Sequence, residues 1–154
     1  MPAMSTRCYL KRALFYWLPL LLWMGWIYYL SDQPVLPHPG REVGVSDDLF
    51  DYTAHAFTFG ALTWLLWRVL DVHMKAASAI NGTGLLATLY AASDEIHQSF
   101  VTGRYARLQD GAADLVGILL VVALLHLWQR RKKGPKVRKS PQALLDKEKR
   151  GRRI

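Results

Sequence analysis

Between Leu89 and Asp114 the chain gathers Asp94, Glu95, His97, Gln98, Arg104, Asp110 and Asp114, and an earlier stretch adds Asp51 and His55. These are side chains that transfer protons, hold anions or ligate metals. Asp51 and His55 are four residues apart, as are Asp94 and Gln98, and Asp110 and Asp114. On a helix each pair therefore shares a face. His55 and Asp114 sit about 6 Å deeper than the partner four residues before them, which makes them the hardest of the set to read as surface decoration. The spacing admits general acid–base chemistry with His55 as proton carrier, Asp94 or Asp114 as its orienter, and Arg104 as the clamp for an anionic group. Asp51, His55, Asp94, Glu95, Gln98, Asp110 and Asp114 are thus the catalytic candidates, and Arg104, Tyr90 and His97 the ligand-binding ones. A pocket that binds a polar headgroup without chemistry, or an Asp–His–Arg network that only braces helices, would use the same residues. Taken alone, Asp51 and Asp110 read as caps or rim groups. A metal would need His55, His97 and one or two carboxylates. The compact spacing of a zinc protease is missing, and the string DEIHQ resembles it only superficially, so neither metal nor cofactor is expected.

The elements that must position these residues are apolar helices. Four runs, at about 13–30, 49–70, 76–98 and 110–128, are long enough to approach the roughly 20 residues a membrane span requires. The first follows Arg7, Lys11 and Arg12 and ends in Trp23, Trp26, Tyr28 and Tyr29. That aromatic end fits a membrane interface, and no small-residue cleavage site is present, so the run reads as a retained helix rather than a signal peptide. Pro34, Pro37, Pro39 and Gly40 break the next stretch into an exposed loop that includes His38. Asp48 is a plausible N-cap for the second run. The third run is rich in small residues, among them Ala76, Ala79, Gly82, Gly84, Ala87 and Ala91, and is expected at the centre of the bundle. Only Asp71 to Lys75 separate runs two and three, which predicts a tight hairpin. The fold expected is an all-α membrane protein: a bundle of four transmembrane helices in residues 1–128, followed by a basic, disordered tail in residues 129–154.

The net charge of +8 belongs to that tail. From Gln129 onward there are twelve Lys or Arg against two acidic residues, whereas residues 1–128 hold eight against ten. The tail lacks the aromatics or fold that nucleic-acid binding needs, and membrane lipid is its expected partner. Placing both termini in the cytoplasm puts seventeen basic residues inside and three, Arg41, Arg104 and Arg107, outside. With that threading the whole polar set converges on the external face, while His73 and His126 fall on the other. A transporter would need polar groups continuing across the bundle, and the cytoplasmic halves offer almost none. Cys8 is the sole cysteine, so an internal disulfide and a cysteine metal site are both excluded.

Three segments in order, DYTAHAF (51–57), DEIHQSFVTGR (94–104) and DGAADLVG (110–117), resemble the VanZ-like family of small bacterial membrane proteins. The likeness covers roughly residues 48–128. Where the family commonly shows Asn this chain has Asp114, and Thr102 replaces a common Pro before the Gly-Arg turn. The resemblance implies a multi-pass protein of the bacterial cytoplasmic membrane and cell envelope, its founding member being linked to resistance to the glycopeptide teicoplanin. A lipid-linked cell-wall precursor or a glycopeptide is then the expected ligand. The family carries no established mechanism with it. Substrate, reaction and oligomeric state are not encoded in any motif present.

Overall fold

The computed structural model describes residues 6–34, 44, 46–104 and 107–132, with side chains from residue 11 onward. The described residues form four helices: α1 (Thr6–Ser31), α2 (Asp47–Leu70), α3 (Ala76–Gln98) and α4 (Leu108–Lys132). The all-helical architecture and the order of the four runs are as the apolar pattern predicts. His38 and the basic tail beyond Lys132 lie outside the described residues.

Two boundaries move. α1 starts well before Ala13 and α4 runs on to Lys132, because Lys, Arg and Gln are good helix formers that an apolar window does not count. Lys132 Nζ lies 3.6 Å from the Trp128 ring centroid, one turn back, so the basic end of α4 folds onto its own aromatic residue. Ser46, not Asp48, is the N-cap of α2; Asp47 and Asp48 occupy its first turn, where the helix dipole favours them. α3 is not the sole centre of the bundle. α2 packs on α1, α3 and α4, with its most extensive contact to α4, and α1 and α4 do not pack together among the described residues.

The reason for the close α2–α4 pairing is glycine. A Cβ on Gly117 would collide with the main chain of Ala56, and Gly60 sits over the Gly117 carbonyl. With only hydrogens in between, the two backbones touch. Phe59, Leu62, Val69 and Ile118 fill the adjoining core. Small residues on α3 then give it entry: Ala79, Thr83 and Ala87 are fully buried.

Two helical segments, Lys11–Ser31 and Leu108–Lys132, are long and apolar enough to cross a membrane. The expectation of four such spans is met by two on this measure. α2 and α3 fall short of it because they carry the chemistry: Asp51, His55 and Arg68 interrupt one, and Asn81, Asp94, Glu95 and His97 the other. Large apolar side chains stand exposed on the outer faces, Leu22 at 65% and Leu119 at 63%. In water such surfaces would be unfavourable by about 25 cal/mol per Å²; lipid removes that cost.

Candidate functional site

The C-terminal ends of α1 and α3 and the N-terminal halves of α2 and α4 meet at one end of the bundle. There His55 Nδ1 lies 2.9 Å from Asp114 Oδ1, its N–H donating to the carboxylate. Asp114 is completely buried. The pairing follows from the glycine contact just described. Ala56 is the residue after His55, and Gly117 lies three after Asp114, so the touching backbones set these two side chains face to face.

His55 also lines a cavity of about 70 Å³ with Asp94, Gln98, Arg104, Ser31, Thr58 and the apolar Ile27, Leu30, Ala54 and Phe59. Gln98 Nε2 donates to Asp94 Oδ2 at 2.8 Å, a bond between residues one turn apart, both almost fully buried. Asp94 and Gln98 thus stand on the cavity wall already paired. Arg104 reaches the cavity through the turn after α3. Gly103 takes φ of 89°, in the left-handed region that Gly enters without a Cβ penalty. That reversal sends Arg104 back to α1, where Nη1 donates to the carbonyls of Leu30 at 2.8 Å and Ser31 at 3.0 Å. These are last-turn carbonyls without an i+4 partner inside the helix; Leu30 O also accepts from the Gln33 N–H at 3.2 Å.

Glu95 is half-buried, and its side chain passes over Gly111 of α4. One carboxylate oxygen each of His55's neighbours Glu95 and Asp114 lies in a set that, with a His55 nitrogen, spans no more than 4.8 Å. Asp110 is one turn before Asp114 and half-buried; Asp51, one turn before His55, is half-buried as well.

The other two candidates stand apart. Tyr90 points its hydroxyl at α1 and donates to the Met24 carbonyl at 2.9 Å. His97 stacks on Tyr28 of α1, ring centroids 4.8 Å apart, with Nε2 3.6 Å from Asp32 Oδ1. The pairing of His55 with His97 on which a two-histidine metal site depended is therefore not formed. Sequence reasoning missed Ser31, Tyr28 and Asp32, all supplied by the end of α1. Their one signal was the polar residue closing an aromatic run, which reads equally well as a membrane interface.

The arrangement can hold a polar group against an imidazole whose tautomer a buried carboxylate fixes. Neither the curated proteins nor the solved structures contain a match to the chain. A profile of the VanZ/LLP1 family matches residues 15–129, which take in α2 and α3, most of α1 and α4, and every candidate named above. The chain therefore belongs to the VanZ/LLP1 family.

Proposed function

We propose that this is a multi-pass protein of the bacterial cytoplasmic membrane in which all four helices span and both termini are cytoplasmic. Its polar end faces outward, binds the head of a lipid-linked cell-wall precursor or a glycopeptide-like molecule, and moves a proton on it through His55. The observation that carries this reading is His55 itself, a wall of the cavity whose Nδ1 is held by the buried Asp114. A buried carboxylate that fixes one ring nitrogen leaves the imidazole oriented for acid–base work. Cavity size favours the lipid-linked ligand. About 70 Å³ is far below the roughly 300–1,000 Å³ of ordinary small-molecule sites, so a headgroup fragment fits and a whole glycopeptide does not. The acyl part of such a ligand would lie along the exposed apolar flanks.

Teicoplanin and vancomycin tolerance in a sensitive bacterium tests the reading. Wild type, His55→Ala and Asp94→Asn are compared with empty vector at matched membrane levels. The expected result is tolerance with wild type and its loss in both variants. Absence of any effect from wild type removes the glycopeptide connection and directs attention to lipids extracted from cells lacking the protein.

A second reading, a non-enzymatic scaffold, is favoured by Arg104 and Tyr90, which spend their donors on α1 carbonyls. Under it, the same variants lose abundance or thermal stability rather than activity at full abundance.

A further inference from the structure

Glu95 Oε1, Asp110 Oδ1 and Asp114 Oδ2 are all buried and without a hydrogen-bond partner. Glu95, Asp110 and Asp114 all lie within electrostatic reach of His55. Among the described residues no Lys or Arg is paired with any of the three. Arg104 is turned to the α1 carbonyls, and Arg107 faces Asp48 at 3.6 Å. A single imidazolium cannot balance three carboxylates, and buried charge without a partner is strongly unfavourable. One ligand atom each of His55, Glu95 and Asp114 lies within 4.8 Å of the others, and such a set of lone pairs is what a cation requires.

We propose that His55, Glu95 and Asp114 form a divalent-cation site, with zinc the first candidate and Asp110 supporting it from the next turn of α4. One nitrogen and two carboxylate oxygens suit zinc or manganese and leave a position open, as in catalytic rather than structural zinc sites. The geometry is near what is needed. The three donor atoms lie within 4.8 Å of one another, and two ligands of one tetrahedral zinc are about 3.4 Å apart. His55 and Asp114 are already at 2.9 Å, so the remaining contraction falls to Glu95, whose flexible side chain supplies it by rotation. Ligation through Nδ1 needs its lone pair, so the proton now given to Asp114 moves to Nε2 when the ring is neutral, and one proton is released only when the ring starts as imidazolium. With metal on Nδ1, Nε2 carries the ring's N–H and is a donor.

The site rests on His55 and Asp114 being the working pair of the proposed function, but not on the identity of any ligand. The experiment is therefore metal content, not tolerance. Full-length protein purified in detergent is stripped with a chelator. Zinc, manganese and magnesium are then titrated by calorimetry, and retained metal is counted by mass spectrometry. Wild type is expected to bind about one zinc or manganese per chain, and Glu95→Gln and Asp114→Asn to weaken it by on the order of tenfold or more. His97→Ala, which alters the histidine outside the set, leaves the affinity unchanged. Glu95 is half-buried, so Glu95→Gln remains informative where Asp114→Asn does not fold. No binding above the level of His55→Ala, or unchanged affinity in Glu95→Gln, overturns the site. Metal binding without any effect on tolerance would remove the glycopeptide connection and leave the site standing.

Discussion

Gly117 of α4 lies directly against the main chain of Ala56 in α2, and that contact decides where His55 and Asp114 meet. Gly117→Ala must push the two backbones apart, since the obstacle is main chain and cannot rotate away. Overpacking of this kind costs about 1–3 kcal/mol, and this position belongs at the upper end. Thermal unfolding in detergent should show a lowered midpoint. Gly25, where nothing lies within reach of a Cβ, is the control: Gly25→Ala should leave the midpoint unchanged or raise it.

The His55–Asp114 pair is expected to be strongly coupled. His55→Ala leaves a completely buried carboxylate without its partner, a loss of about 3–5 kcal/mol. Removing the charge as well, in His55→Ala with Asp114→Leu, should recover much of it. A double-mutant cycle built on unfolding in detergent is expected to give a coupling of about 1–3 kcal/mol. Additive single effects would mean the bond contributes nothing.

Arg104 distinguishes a brace from an anion clamp. Its two bonds to α1 carbonyls predict that Arg104→Ala loses about 2 kcal/mol of stability. Faster amide exchange should follow, confined to the last turn of α1 and the 99–104 turn. A clamp would show the opposite pattern, normal exchange with lost ligand response.

Orientation is open to a direct check. In a Cys8→Ser background, Thr102→Cys in the exposed α3–α4 turn should react with an impermeant thiol reagent in intact cells. Lys75→Cys, exposed at the start of α3, should react only after permeabilisation. The reverse labelling pattern would place the polar end in the cytoplasm and end the cell-wall reading.

The helices were legible because apolar residues cluster strongly, and the α2–α3 hairpin because only five residues separate those runs. The convergence of His55, Asp94, Gln98, Arg104 and Asp114 was legible from antiparallel threading alone. What sequence could not supply was rotation about each helix axis. His97 lies two residues from Glu95, yet it faces Tyr28 while Glu95 faces α4, and a one-residue spacing rule cannot tell which way each turns. Nor could composition show that α1 does more than anchor. Trp23 Nε1 donates to the Thr58 carbonyl at 3.0 Å and Tyr90 to Met24, and such ring-to-main-chain bonds leave no pattern in spacing. Gly117 closes the DGAADLVG segment, but its value lies in what it lacks, which only the facing backbone reveals.

The grip of Arg104 on the end of α1 joins residues 74 and 73 positions apart. Translation at about 5–20 residues per second separates their emergence by some 4 to 15 seconds. Throughout that interval the Leu30 carbonyl has only the local Gln33 N–H, and the Ser31 carbonyl lacks its guanidinium partner. The cavity they border has no far wall until α3 has entered and the chain has turned back at Gly103. Maturation of the site is therefore a late event in biogenesis, set by the arrival of a guanidinium.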